Sequence, residues 1–206
     1  MKRISLFTML AATIISCSSD DDNNGGNGNA NNPPANVYTA EDISSVDGTV
    51  YYSLRTQSVV ASEDSATTKW DIAFNSTNIY LNGGASGPGE GAGQIKATLF
   101  DEADEAPENG YVKDKEGLPA ISAAAGNTWY IYNDASGTPP HSIIMTPGRV
   151  IFIKTADGQY AKIELLSYYK GNPDTSTQEF ANLQTRPASR YHTFRFAVAA
   201  EGGRKF

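Results

Sequence analysis

Few side chains in this sequence could bind or activate anything. There are two histidines, His141 and His192, one cysteine, Cys17, and three methionines, of which only Met145 lies beyond the first ten residues. Imidazole and thioether groups suit borderline and soft transition metals, so His141 and Met145 are side chains to weigh as donors. If a strand ran through both, its period of two would put them on one face, lining one pocket mouth. Each has a plainer reading. His141 follows Thr138-Pro139-Pro140, a stiff exposed loop, and Met145 could fill a gap in a core. His192 alternates with Phe194 and Phe196, which makes it a packed strand residue rather than a ligand. Tyr130 and Tyr132 could stack on a flat ligand, but the composition of their segment favours core.

Other chemistries lack their residues. A zinc site of several cysteines, a disulfide framework or a CxxC redox pair needs more than one Cys. Two histidines give no Ser/His/Asp set beyond chance. Gly83 to Gly93 holds six glycines in eleven residues, yet no Gly-Lys-Ser/Thr ending and no helix follow. Close backbone packing and positive-φ turns explain it better than a phosphate loop. Asp101-Glu102-Ala103-Asp104-Glu105 lacks the calcium-loop spacing and its central glycine, so it reads as a solvated loop. The net charge of the 206-residue chain is -7, which argues against nucleic acid as a partner. No pair of carboxylates points to a glycosidase.

The elements that would position the donors read as strands. Gly48–Leu54, Lys69–Phe74, Arg149–Thr155, Gln159–Tyr169 and Tyr191–Val198 are rich in β-branched and aromatic residues. Trp70, Ile72 and Phe74 are expected on one face. Arg149–Thr155 and Gln159–Tyr169, joined by Ala156-Asp157-Gly158, give the strongest hairpin signal. In the second, Ala161, Ile163 and Leu165 alternate with Lys162 and Glu164. No long helical period occurs. Thr39–Asp42 could open one short helix through a capping box, and Thr177–Leu183 could form another. The expectation is an all-β, mostly antiparallel, sandwich-like single domain from residue 37 to 206, with one or two short helices.

The first residues read as an address. Lys2 and Arg3 precede a mostly apolar run, Ile4–Ile15, about as long as a secretory core and too short to anchor by spanning a bilayer. It ends Ile14-Ile15-Ser16-Cys17, which resembles a bacterial lipobox. Cleavage after residue 16 and lipidation of Cys17 are expected, with acyl chains giving stable attachment to the outer membrane. Ser18-Ser19-Asp20-Asp21-Asp22 resembles the surface-export signal of Bacteroidota lipoproteins. Residues 17–36 continue as an Asn/Gly tether that lets the domain stand off the membrane.

Three blocks carry a resemblance in the domain itself. They are Trp70–Phe74 ahead of Asn82–Gly89, then Pro147–Gly158 running into Tyr160–Ile163 and Ser167–Tyr169, and last Tyr191–Phe196. In this order behind a lipobox they resemble the HmuY family of haem-binding lipoproteins. The resemblance implies an all-β, hand-shaped fold that grips haem between loops at one end. It implies a surface-exposed or shed protein that passes haem to a TonB-dependent outer-membrane receptor, and no catalysis. The family's iron ligands are paired His or Met side chains. At the matching positions this chain has Asn133 or Asp134 after Trp129–Tyr132, and neither His nor Met in Val112–Asn127. Met145 lies near where one family Met would be expected, so Met145, with His141 beside it, becomes the candidate for haem iron. The alternative is a non-catalytic module that uses the same scaffold for a glycan, a metal chelate or a partner protein.

Overall fold

A computed structural model describes residues 35–121 and 128–206. Cys17, the leader and most of the tether lie outside the described residues, as does the end of the Val112–Asn127 segment. Eleven strands are present among the described residues: β1 Val37–Ser44, β2 Val50–Ser53, β3 Ser58–Val60, β4 Ile72–Asn75, β5 Asn78–Leu81, β6 Ala92–Ala97, β7 Tyr130–Asn133, β8 Ser142–Met145, β9 Arg149–Lys154, β10 Tyr160–Tyr169 and β11 Ser189–Val198. All pairings between them are antiparallel. One sheet has the order β1-β11-β10-β9-β6, a second β3-β2-β4-β5, and β7 pairs with β8 alone. The fold is all-β, as the alternation implied.

The two larger sheets face each other. Ile151 and Ile153 of β9, Ala161, Ile163 and Leu165 of β10, and Phe194 and Phe196 of β11 meet Tyr52, Ile72, Phe74, Ile79 and Leu81 of the smaller sheet. Aromatic pairs cross the interface. Tyr52 meets Phe194 edge-on at 5.4 Å between centroids, and Phe74 lies 5.4 Å from Phe194. Each large side chain sealed here contributes about 1.5–3 kcal/mol of transfer free energy.

Two expectations need correction. Thr39–Asp42 is not helical but lies within β1. Thr39 pairs with Arg195 and Ala40 with Phe194, and Ala40 is buried. The ladder along β11 outweighs a capping box of one turn. Asp42 instead serves a bulge between Ala40 and Ile43: its φ is 52°, its N–H donates to Thr193 Oγ1 at 3.1 Å, and its Oδ1 accepts from Gly171 N–H at 2.8 Å. The second short helix does form, as α1, Gln178–Ala181, with the Thr177 hydroxyl accepting from Phe180 N–H. Trp70 does not share the face of Ile72 and Phe74. The strand starts only at Ile72, and Trp70 turns to Tyr51, 5.0 Å away edge-on, while its indole N–H donates to Ser65 O at 2.8 Å.

Lys162 does point away from the sandwich interior, yet it is buried rather than solvated. A second apolar layer, formed by Phe100, Ala103, Ala106, Val150, Phe152 and Ala197, covers that face of the larger sheet. The ammonium donates to the carbonyls of Phe100 at 2.9 Å and Ala103 at 3.1 Å, and lies 4.3 Å from the Phe100 ring centroid. Burial lowers its pKa from the ordinary lysine value. Lys162→Met keeps the apolar stem but takes the donor from Ala103 O and leaves Phe100 O only the Ala103 N–H at 3.3 Å. Urea unfolding should show a loss of about 1–3 kcal/mol, and an unchanged midpoint would mean that water replaces the ammonium.

The glycine run is explained by contact. Gly83 bridges to Glu90, and Gly91 N–H donates to Asn82 O at 2.7 Å. A Cβ on Gly83 would collide with the Gly91 carbonyl, and a Cβ on Gly91 with the backbone of Asn82. The buried Asn82 side chain donates to Thr67 O and Trp70 O, both at 2.8 Å, and accepts from Gly89 N–H at 3.0 Å. The run is packed backbone, with Glu90 N–H donating to Ala156 O in the β9–β10 turn at 2.9 Å.

Candidate functional site

β10 is ten residues long and so spans roughly 30 Å. It has the glycine run and the β9–β10 turn at its start. At its far end Tyr168 and Tyr169 meet the β7–β8 hairpin. Both candidate donors lie on that hairpin.

Met145 closes β8 opposite Tyr130 of β7. It is partly buried against the main core and lines a hollow of about 260 Å³ with Ile143, Ile144, Leu166, Tyr168, Tyr169 and Asp174. His141 is exposed and precedes β8, with a φ of 46°. The left-handed step breaks the alternation, so the same-face argument from sequence does not reach it. It lines a neighbouring hollow of about 300 Å³ with Ile143, Tyr168, Tyr169, Leu183 and Arg186. The two hollows share Ile143, Tyr168 and Tyr169 as a common wall. Each falls at or below the floor of ordinary ligand cavities, about 300–1,000 Å³, while the pair together falls within that range.

The chemistry of this wall is that of protonated phenol and apolar carbon. Tyr169 Oη accepts from Ile143 N–H at 3.0 Å. Burial raises its pKa, so at neutral pH it is a phenol that can still donate its own proton. The rim is anionic at Asp174, held below the usual carboxylate range first by the Ser176 hydroxyl at 2.7 Å and then by the Ser176 N–H at 2.9 Å. Asp134, in the hairpin turn, is lowered in the same way by Ser136.

Tyr132 corrects a further expectation. It is 57% exposed rather than core, because β7 lies in a two-stranded sheet that covers only one of its faces. Its hydroxyl is 3.3 Å from His141 Nδ1. Tyr130 is only half-buried, packing on Trp129 at 4.6 Å and against the main core. His192, by contrast, is fully buried, stacked 4.3 Å from Phe74 with its Nε2 3.1 Å from Ser45 Oγ, and is closed to any ligand. Asn133 bonds within the hairpin, to Thr138 O and Ser142 Oγ at 3.3 Å. Among the described residues no group of three or more His, Cys, Asp or Glu could hold a metal ion.

Sequence reasoning missed Tyr168, Tyr169 and Arg186 as parts of this end. The two tyrosines close the longest alternating strand, and an aromatic pair at a strand's end could have marked a wall. Arg186 gave no signal. A larger cavity, about 520 Å³, opens at the other end beside Arg55, Gln57 and Gln159, but no imidazole or thioether lines it.

A family model described as HmuY protein matches residues 45–181, more than half of the chain. No curated protein matches. Among solved structures, the apo HmuY analog of Tannerella forsythia is similar, with a TM-score of 0.51 and 16% identity over 81% of this chain and 96% of its own. Two others are less alike. A protein of Bacteroides vulgatus described as HmuY-like and heme binding gives a TM-score of 0.48 with 18% identity over 78% of this chain and 91% of its own. Apo PinO of Porphyromonas gingivitis gives 0.49 with 15% identity over 80% and 98%.

Proposed function

The chain belongs to the HmuY family, and from that premise we propose that it binds haem, or a related porphyrin, at the β7–β8 end. Haem is bound as cargo rather than used for catalysis. The observation that carries this reading is the placement of a thioether, Met145, and an imidazole, His141, in adjoining hollows that share one aromatic wall. Tyr168, Tyr169 and Ile143 would supply the flat apolar contact, and the donors the axial ligands that haem iron takes. The lipobox-like Ile14-Ile15-Ser16-Cys17 and the acidic residues after it support lipidation of Cys17 and attachment to the outer membrane with the domain exposed at the surface. Delivery to a TonB-dependent receptor is the use that fits such a position. No helix among the described residues is long and apolar enough to cross a membrane.

Titration with haemin, under oxidising and reducing conditions, tests the reading. A Soret shift at micromolar haemin is expected. Met145→Ala should weaken binding roughly tenfold or more, and more in the ferrous state, since losing even a residue that only supports a metal ligand typically costs about 10–100-fold. No shift with the wild-type chain ends the proposal.

A second reading has its own support. Tyr132, Ile131 and Leu183 at this end are 57%, 49% and 58% exposed, and each hollow is small. That surface suits a glycan, a metal chelate or, best of these, a partner protein that covers apolar side chains. Binding in a pull-down that survives loss of both His141 and Met145 would favour it.

A further inference from the structure

The hairpin that carries both donors belongs to neither sheet of the sandwich. Its internal bonds fix its shape but not its seat against β10. Tyr169 supplies one tie through Ile143 N–H. Arg186 supplies more. Its Nη1 donates to His141 O at 2.8 Å, its Nη2 to Pro140 O at 2.8 Å, and its Nε to Phe180 O at 2.7 Å. The guanidinium carbon sits 4.7 Å from the Phe180 ring centroid. One planar fork thus joins α1 to the turn that presents His141. A single ammonium could not reach all three carbonyls in that plane.

His141 needs such a hold. A left-handed backbone costs a non-glycine residue, so it persists only where surroundings fix it. At His141 they do so from both sides: its N–H donates to Asp134 O at 3.0 Å, and its carbonyl accepts from Arg186.

We propose that Arg186 is the positioning residue of the ligand end, fixing the His141 turn and through it the place of the imidazole. The inference rests on the haem reading for its consequence but not for its mechanics. If it is right, Arg186 acts through His141 rather than by its own contact with the ligand.

Two arms test it on the full chain. In the first, without haemin, hydrogen exchange at the His141 and Ile143 amides is compared between wild type, Arg186→Met and Arg186→Lys. Both variants should exchange roughly tenfold faster there, with Ile163 in the core unchanged, as expected of a local opening. Unchanged hairpin exchange, or equal acceleration at Ile163, overturns the proposal. In the second, haemin affinity should fall roughly tenfold to a hundredfold in Arg186→Met, with the Soret band moving toward that of His141→Ala, and lysine should not rescue it. In a His141→Ala background the Arg186→Met loss should vanish; a loss that persists there overturns the proposal. If the wild-type chain takes no haemin, the functional reading fails, and the exchange arm alone decides whether Arg186 holds the turn.

Discussion

Asp71→Asn should lower the free energy of unfolding by about 3–5 kcal/mol, because it leaves a buried N–H donor unsatisfied, at about 1–3 kcal/mol, and gives up hydrogen bonds to a charged acceptor worth about 1.5–3 kcal/mol each. The carboxylate is fully buried. One oxygen accepts from Leu54 N–H at 2.8 Å, and the other from Ala156 N–H at 2.9 Å. Arg55 Nε lies 3.1 Å away. The two amides come from different sheets, the end of β2 and the β9–β10 turn, so this one side chain ties them together. Asparagine keeps the shape but offers only one acceptor, and its NH2 would face an N–H donor. Arg55→Met is the informative contrast. It removes the cation but leaves both amides donating to the buried carboxylate, so its loss should cost less, about 1.5–3 kcal/mol for the charge-assisted contact. Urea unfolding followed by tryptophan fluorescence measures both. Equal losses would mean that the ion pair, and not the amide cradle, holds the joint.

That joint shows why the sequence was informative in some places and silent in others. Trp70–Phe74, the glycine run and Ala156-Asp157-Gly158 all converge there. Each does a job that few residue types can do: a carboxylate accepting two amides, glycines where a Cβ would strike backbone, an asparagine bonding three ways. Such positions constrain residue identity, so they are legible. The sheets were legible for a related reason. β9, β10 and β11 alternate between two environments, and the period of two survives in the residues. Lys162 shows the limit of that argument, since alternation gives the face and not what covers it. The covering layer includes Phe100 and Phe206, distant in sequence.

The proposed ligand end obeys other rules. A hollow between a hairpin and a strand end needs only side chains of suitable bulk, and no fixed spacing records them. Met145 and His141 stood out because thioether and imidazole groups are scarce in this chain. Their relation could not be read, because one left-handed residue at 141 cancels the strand count between them. Arg186 was invisible for a different reason: its partners are backbone carbonyls, which carry no residue signature. The recognisable blocks therefore describe chiefly the scaffold, and only Ser167–Tyr169 reaches the proposed ligand end. The other residues there have roles that only the fold reveals.

Acidification should destabilise the protein through His192, by about 3 kcal/mol between pH 7.5 and pH 4.5. Burial lowers this imidazole's pKa from its ordinary 6.5 to about 3. Around it lie Phe74 at 4.3 Å, Tyr168 at 5.4 Å and the Ser45 hydroxyl. Nδ1 has no hydrogen-bond partner among the described residues. The neutral tautomer that donates from Nε2 to Ser45 Oγ therefore leaves only a lone pair unsatisfied, whereas a second proton would place an unpaired charge among aromatic rings. The sign follows from the folded value lying below the unfolded one. Between pH 6.5 and about 3 the unfolded chain binds a proton that the folded chain refuses, so stability is full above pH 6.5 and falls as pH drops. The slope approaches about 1.4 kcal/mol per pH unit. Carboxylates held low in the fold, such as Asp157, add their own loss chiefly at lower pH. His192→Phe isolates the histidine. It keeps the aromatic stack, and Ser45 Oγ retains Arg190 O at 3.4 Å. Whatever its absolute stability, the variant should lose most of the dependence between pH 7.5 and 4.5 in urea unfolding. A slope equal to that of the wild type would mean that the imidazole is protonated within the folded protein, and that the core admits water beside Phe74.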